Sequence, residues 1–262
     1  MRLPLSRPFA LLAAATVGLV PVGCQDELGG PVPPSTAREF AAAAARYHDP
    51  ESRWPAFRSD VLIVSTLARG GTFTNEVLLD RARDTFRRRR AAGGHVLVQT
   101  IGPGGTCSAS FSDPDASAAD RARVGIGIGI GIPEPCTAVA PSRDFYDFLV
   151  DLPMSALEAG TIDFGPGDDA VRVDTTIFGR AAVQLRLTYP SAPAEPTWWL
   201  YVDPVSHRLH AARFRFPSGG GEWLHYPYDT LFDGFSLKAE QAWYELDGTP
   251  VSVDALSYRA VN

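Results

Sequence analysis

Apolar and polar residues alternate through most of the second half of the chain, and this pattern restricts the folds open to it. Val171, Val173 and Ile177 alternate with polar residues, and the same pattern runs from Val183 to Tyr189. Such alternation is typical of antiparallel strands with one apolar face and one face in water. Further β-rich segments follow at hairpin-length intervals, at 198–202, 209–216, 223–228, 235–246 and 251–261. Segment 198–202 is apolar on both faces, so we expect both faces to be covered.

The first half of the chain predicts four more strands and most of the helices. Strands are expected at 61–67, 72–79, 83–90 and 96–101, joined by glycine-containing turns. Helices are expected at 36–48, where Thr36 and Glu39 form a capping box, and at 142–150, with a short helical turn at 155–159. We therefore predict a mainly β (α+β) fold. It is a strongly curved antiparallel half-barrel sheet of about 11 strands, with two or three lid helices over its concave face.

The composition allows a sizeable core and argues against a polyanionic partner. The 262 residues are 45% hydrophobic and carry a formal net charge of −6. A chain with this charge has no electrostatic reason to bind nucleic acid. Beyond the N-terminus no apolar run reaches the roughly 18 residues needed to span a bilayer. Lys238 is the one lysine of the chain, which we interpret as a consequence of genomic base composition.

The N-terminus has the layout of a bacterial lipoprotein signal peptide at 1–23. Arg2 and Arg7 precede an apolar run from Pro8 to Val22, and Cys24 follows Gly23 directly. This layout predicts cleavage before Cys24 and acylation of its amine and sulfur, which would hold the mature chain on a membrane. The alternative is an ordinary secretory signal with small residues at its cleavage site, a pattern that Val22 interrupts.

The residues after the signal divide into a tether and a single domain. Residues 24–35 are rich in glycine and proline and predict a tether. Its acidic run at 25–27 is either a surface-export signal or solvated linker. Residues 36–262 are expected to form one half-barrel domain, with an irregular insertion at 102–141. The insertion contains a Gly-Ile repeat at 125–132, which is either a lineage-specific insertion or a flap that touches a ligand or membrane.

Two cysteines remain for the domain, Cys107 and Cys136. An even pair in an exported chain predicts a disulfide. Such a bridge would close a loop of about 30 residues and contribute roughly 3 kcal/mol to stability. The alternative is a redox or metal site, but further ligands at a suitable spacing are missing from the surrounding sequence. We therefore expect no metal.

The sequence lacks the common motifs of catalysis and cofactor binding. It contains no His-Glu-x-x-His, no phosphate-binding loop with lysine and no Gly-x-Ser-x-Gly elbow. None of the histidines has a carboxylate at ligand spacing, and His207 and His210 are expected on opposite faces of a strand. The run from Arg87 to Arg90 is basic, but on a strand its side chains alternate in direction, and a specific anion site is the alternative. We expect no catalytic residue and no cofactor.

Aromatic residues make up 10% of the chain. Most of them are needed for an ordinary core. The more specific hypothesis is that a subset of them lines a ligand-binding cavity. The candidates come from the doubly apolar strand and from the second helix. They are Trp198, Trp199, Tyr201, Phe145 and Phe148.

Three local motifs, together with the lipid anchor, resemble a known family. They are Tyr47-His48-Asp49-Pro50 followed by Trp54, Asp151-Leu152-Pro153-Met154 after the aromatic helix, and Thr197-Trp198-Trp199-Leu200-Tyr201-Val202-Asp203-Pro204 leading to Leu209. Over 40–246 the chain is similar to an uncharacterised family of bacterial envelope lipoproteins. The fold of that family is like that of the periplasmic lipoprotein carrier and its outer-membrane receptor (LolA and LolB).

The resemblance implies an open half-barrel, capped by helices, that takes acyl chains into an apolar hollow. It supplies no catalytic residues. His48, Asp49 and Trp54 are expected to fix the turn from the first helix into the sheet, with the carboxylate as a cap and the indole packed under the sheet. The repeat at 125–132 departs from the family pattern.

These observations favour a lipid-anchored, non-enzymatic protein of the bacterial envelope, in the outer membrane, whose hollow holds an acyl chain or another apolar ligand. Its expected partners are the membrane, through the acyl chains on Cys24, and a lipid or lipoprotein, with no nucleic acid. The rival is a protein–protein interaction or scaffold module in which the protein's own side chains fill the hollow. A third hypothesis, a hydrolase, requires a buried, convergent cluster of polar groups.

Overall fold

A computed structural model describes residues 34–113, 117, 135–154, 173–188 and 196–261. In these ranges the chain forms helices α1 (Ala37–His48) and α2 (Pro135–Asp151) and fourteen strands. The first seven strands are β1 (Arg58–Leu67), β2 (Thr72–Asp80), β3 (Thr85–Ala92), β4 (His95–Ile101), β5 (Cys107–Phe111), β6 (Val173–Ile177) and β7 (Arg180–Leu187). The others are β8 (Thr197–Val202), β9 (Leu209–Arg215), β10 (Gly221–His225), β11 (Asp229–Phe232), β12 (Phe235–Lys238), β13 (Glu240–Glu245) and β14 (Pro250–Arg259).

Twelve of the described strands form one antiparallel sheet. Its strand order is β5-β4-β3-β2-β1-β14-β13-β10-β9-β8-β7-β6, and β11 and β12 pair separately as a hairpin. The two predicted groups of strands join where β1 pairs with β14, with Ile63 opposite Leu256. The edge strands β5 and β6 do not pair with each other, so the described strands form an open sheet.

The sheet curves strongly around helix α2. Phe86 on β3 and Trp198 on β8 are seven strands apart in the sheet order, a separation of about 34 Å in a flat sheet. However, the Phe86 ring lies 6.4 Å from that of Tyr146 on α2, and the Trp198 ring lies 4.4 Å from that of Phe148. Because Tyr146 and Phe148 are two residues apart, the sheet bends round the helix. The predicted curved half-barrel with helices on its concave side is confirmed.

Helix α1 begins at the predicted capping box. Thr36 Oγ1 accepts a hydrogen bond from the Glu39 N–H, and Glu39 Oε2 accepts one from the Thr36 N–H, each at 3.1 Å. The buried side of the helix, which includes Phe40, Ala41 and Ala44, belongs to the main hydrophobic core. Among the described residues no helix has the length and apolarity needed to cross a membrane.

The expected strand at 235–246 is divided in the structure. It breaks at Ala239, whose N–H donates to the carbonyl of Tyr228. The residues before the break form β12, which pairs with β11, and those after it form β13, which returns to the main sheet. The alternation of apolar and polar residues does not show which strand a segment pairs with. The sequence therefore predicted one strand at 235–246 instead of two.

The insertion at 102–141 is more regular than expected. Its first part contains β5, which pairs with β4 as the edge of the sheet, and its last part forms the first turns of α2. The predicted helix at 142–150 therefore begins earlier, at Pro135. Several predictions fall outside the described residues: the anchor Cys24 and the tether up to residue 33, the repeat at 125–132 and the helical turn at 155–159.

Candidate functional site

The concave face of the sheet, here called the inner wall, is the candidate binding site. Strand alternation directs every second side chain to this face. From β7 to β10, buried apolar side chains cover it, and we call this set the apolar half. Its members are Val183, Leu185, Leu187, Trp198, Leu200, Val202, Leu209, Ala212, Phe214 and Leu224.

Helix α2 lies against the inner wall through consecutive aromatic residues. Phe148 meets Trp198, whose ring in turn lies 4.8 Å from that of Phe214. Phe145 stacks on Trp243 of β13 at 6.1 Å. Phe145 and Phe148 are half-buried and pack on the main core. The structure thus brings together three of the predicted ligand-binding residues: Trp198, Phe145 and Phe148.

The other two candidates, Trp199 and Tyr201, lie on the convex face. Tyr201 is buried there with Ala182 and Ala211, and Trp199 packs against this cluster. The Arg213 guanidinium lies 4.1 Å from the Trp199 ring and 5.0 Å from that of Trp223. Alternation along β8 therefore divides the five candidates between two faces, and it explains why 198–202 is apolar on both sides.

Pairing continues the convex-face contacts into a row across five strands. Arg186, Trp199, Arg213, Trp223 and Tyr244 are successive partners in this row, which we call the outer row. Strand β6 also presents its apolar residue Ile177 to this side, whereas the alternation in its sequence predicted an apolar inward face. Ile177 thus packs against the convex-face cluster of Ala182, Tyr201 and Ala211.

A line of buried polar side chains crosses the other part of the inner wall. It runs through six adjacent strands, from β4 to β13, and we call it the polar seam. Its members are Gln99, Arg88, Arg90, Asn75, Ser65, Asp254 and Gln241. All are inward-facing residues in a region where the apolar residues Phe86, Val77 and Ile63 are their neighbours.

Hydrogen bonds connect neighbouring members of the polar seam. Arg88 Nε donates to Asn75 Oδ1 and Arg88 Nη1 to Gln99 Oε1, each at 3.1 Å. Asp254 Oδ2 accepts from Gln241 Nε2 at 2.9 Å and from Trp243 Nε1 at 2.8 Å. The predicted alternation of the Arg87–Arg90 run is correct. However, the sequence analysis did not predict that Arg88 and Arg90 are buried, which follows because they share the face of buried Phe86.

Lys238 fixes the C-terminal end of α2. Its side chain is 2% exposed, and its ammonium group donates to the carbonyls of Leu149 at 3.1 Å and Leu152 at 2.5 Å. These are carbonyls that a helix leaves without intrahelical partners, and a cation there also complements the helix dipole. The one lysine of the chain therefore has a specific structural place, which our interpretation from base composition missed.

The turn after α1 is fixed as the family resemblance implied. Asp49 accepts hydrogen bonds from the N–H groups of Arg53 and Trp54, at 2.9 and 2.7 Å. The buried Trp54 ring stacks on Phe57 at 4.3 Å. His48 is buried and bonds through both ring nitrogens, Nδ1 to the carbonyl of Ser236 and Nε2 to the N–H of Leu209. These contacts give His48 a structural role.

His210 has a carboxylate partner that the sequence did not indicate. His210 Nε2 lies 3.1 Å from Asp203 Oδ2, and His207 is in the turn before β9 instead of on the strand. Burial by itself raises the pKa of Asp203, but hydrogen bonds from Ser206, Val205 and His210 lower it to about 2. Burial lowers the pKa of His210. The contact between Asp203 and His210 joins the two ends of the turn between β8 and β9.

No metal centre is present in the described part of the chain, where no three His, Cys, Asp or Glu side chains are grouped closely enough to hold an ion. The predicted disulfide involves Cys107, which is half-buried at the start of β5 against the main core. Helix α2, which has Cys136 in its first turn, packs on β5. The side chain of Cys136 lies outside the described residues, so the bridge stays a prediction.

Similar solved structures include a LolA superfamily protein from Nitrosomonas europaea. It is 13% identical, with 87% of this chain and 94% of that chain covered and a TM-score of 0.46. A protein domain named for outer membrane lipoprotein sorting, from Vibrio parahaemolyticus, is 10% identical over 86% and 94% of the two chains, with a TM-score of 0.47. A DUF1329 family protein from Desulfovibrio piger is 9% identical over 86% and 93%, with a TM-score of 0.45.

At these identities the likeness is one of fold. One of the three structures bears the name of the LolA superfamily. No protein-family model and no curated protein matches the sequence.

Proposed function

We propose that this chain is a lipid-anchored, non-enzymatic binding protein of the bacterial cell envelope, with an acyl chain or another apolar ligand held on its inner wall. The observation that supports this proposal is the apolar half. It is a continuous buried surface over four adjacent strands, and the half-buried Phe148 of α2 contacts its Trp198. In this structure Phe148 of α2 contacts Trp198, and α1 packs on β7, so a ligand would reach the surface when a helix moves away.

The binding energy available is sufficient for useful affinity. Transfer of about twelve methylene groups from water to an apolar surface contributes on the order of 9 kcal/mol. Part of this is offset by the ordering of the chain and of the side chains that receive it. An acyl ligand of ordinary length would therefore bind with measurable affinity without any catalytic group.

The polar seam fits binding better than hydrolysis. A hydrolase needs a nucleophile activated by a general base, and the one hydroxyl of the seam belongs to Ser65, whose strand partner is Asp254. The carboxylate of Asp254 is itself engaged by Gln241 and Trp243. These residues can orient a polar group, which is why we propose a binding protein.

The proposed location depends on Cys24. Acylation there, and a tether up to residue 35, would place the domain at the surface of the outer membrane, on its periplasmic or external side. A disulfide from Cys107 to Cys136 would join the edge of the sheet to the start of α2 and limit the motion of that helix to its other end. Both features are part of the proposal.

The test compares two neighbouring tryptophans on opposite faces. The delipidated domain should bind a fluorescent fatty acid saturably, and Trp198→Gln should weaken that binding about tenfold or more because it removes apolar area from the inner wall. Trp199→Gln is the matched control on the convex face and should leave affinity within about twofold of wild type. Titration by fluorescence measures both, and near-UV circular dichroism verifies the fold. Absence of saturable binding by the wild type would refute the proposal.

A second candidate function is an interaction module, and the outer row favours it. Phe178, in the turn between β6 and β7, is 41% exposed, and its ring stacks on His225 at 4.3 Å beside Trp223 and Tyr244. An exposed aromatic group of this kind is suited to contact another envelope component. If this candidate is correct, Phe178→Ser should abolish capture of a cross-linked partner, and Trp198→Gln should not.

A further inference from the structure

Arg88, one of the two arginines of the polar seam, is buried with neutral hydrogen-bond partners. Arg88 and Arg90 are 1% and 2% exposed, and both face the inner wall. The hydrogen-bond partners of Arg88 on the neighbouring strands, Asn75 and Gln99, are neutral. Its guanidinium carbon lies 5.2 Å from the Tyr146 ring. Among the described residues its Nη2 has no hydrogen-bond acceptor.

This arrangement leaves positive charge in a position where water cannot stabilise it. A buried cation is costly unless it is paired, and the partners that the described residues supply to Arg88, namely Asn75 and Gln99, are uncharged. Burial, and to a smaller extent the charge of Arg88, lower the pKa of Arg90 to about 10, although Tyr146 and Asp254 oppose this shift. Among the described residues Arg88 therefore has no carboxylate partner, and its Nη2 donor has no acceptor.

Helix α2 contacts both Arg88 and the apolar half. Tyr146 of α2 lies over Arg88, and Phe148, two residues later, touches Trp198. The charged and apolar parts of the inner wall are thus close enough to contact the two ends of one amphiphilic molecule. We infer that the ligand is an anionic amphiphile, with a carboxylate or phosphate head group at Arg88 and its chain along the apolar half. This inference rests on the proposed function, since it assigns a head-group site to the same ligand.

The experiment compares ligands that share a chain and differ in their head groups. Dodecanoate, dodecyl phosphate and 1-dodecanol are each used to displace a neutral fluorescent probe from the wild-type domain. A hydrogen bond to a charged group contributes about 1.5–3 kcal/mol, so both anions should displace the probe at roughly tenfold lower concentration than the alcohol, or lower still. In Arg88→Gln this preference should fall to about twofold or less. Arg87→Gln, on the outer face of the same strand, is the matched control and should retain it.

The outcomes separate the two proposals. Equal displacement by the alcohol and the anions in the wild type would overturn the head-group site while leaving chain binding intact. Displacement by none of the three would overturn chain binding itself. Inorganic phosphate that competes as well as dodecyl phosphate would show a free-anion site and would contradict an amphiphile. The wild-type comparison does not depend on whether Arg88→Gln folds, and near-UV circular dichroism shows whether that variant can be interpreted.

Discussion

His48 is a buried base whose two ring nitrogens join three elements of the fold. Its Nδ1 lies 2.5 Å from the carbonyl of Ser236 and therefore carries the proton, and its Nε2 accepts from the Leu209 N–H at 3.3 Å. These bonds connect α1 to β12 and β9. Burial lowers the pKa of His48 to about 4, although the Ser236 carbonyl partly opposes this effect.

The lowered pKa of His48 predicts that stability depends on pH. The folded state needs the neutral ring, whereas the unfolded chain takes up the proton near pH 6.5. Between pH 6.5 and 4 the unfolded state binds more protons, so the free energy of unfolding should rise with pH, by up to about 3 kcal/mol in total from this residue.

Denaturant titrations from pH 4 to 7 on the wild type and His48→Gln test this prediction. Burial also lowers the pKa of His210 and His225, so the informative quantity is the difference between the two slopes. The variant should show a flatter dependence on pH. Identical slopes would contradict the assigned role of His48.

At this scale the sequence predicted local contacts and missed distant ones. The Thr36–Glu39 capping box and the Asp49 cap lie within five residues of their partners, and a local pattern was enough to identify them. Lys238 contacts a helix end almost ninety residues earlier. The burial of Arg88 could be predicted only with knowledge of which face of its strand is buried. Both residues are common surface types, so their type alone gave no signal.

Helix α2 is the element on which access to the inner wall depends. It lies over β3, β8 and β13 through its aromatic residues, and it is held at its polar side by Arg81, whose Nη1 donates to both carboxylate oxygens of Asp147 at 2.9 Å. At its C-terminal end Lys238 is the main attachment. Release of this end would withdraw Phe148 from Trp198 and expose that part of the apolar half.

Lys238→Met should loosen α2 selectively. The substitution removes charged hydrogen bonds from buried carbonyls and keeps the length of the side chain, and each such bond contributes about 1.5–3 kcal/mol. Amides near the end of α2 should then exchange with deuterium ten times faster or more through local opening, while amides of β1 and β14 keep their rates. Hydrogen exchange with mass spectrometry measures both regions in one sample. A uniform increase across the sheet, or none in α2, would argue against this role.

The strands show which features of an element can be predicted from a pattern. Alternation located both meanders and the inward face of β7. It failed at β6, whose apolar residue packs outward, and at Ala239, where the strand changes partner. Periodicity assigns residues to two faces without telling which face is the core, and pairing is decided by the rest of the molecule.

On the scale of the whole molecule, one open sheet bent round a helix creates an inner wall with two chemical halves. The curvature and the lid were predictable from the length of the alternation and from the family resemblance. The polar seam was not, because its members come from six strands that are adjacent in space and distant in sequence. The division of Trp198 and Trp199 between two faces follows from the alternation, although both had been assigned to one cavity.

Nuclear Overhauser contacts between ¹³C-labelled dodecanoate and the protein test the position of the chain most directly. At saturating ligand, the methylene protons should show contacts with the rings of Trp198 and Phe148, and the carbon next to the carboxylate should lie nearest to Arg88 and Tyr146. Contacts with Trp199 and Trp223 of the outer row, or no intermolecular contacts at all, would contradict acyl-chain binding on the inner wall.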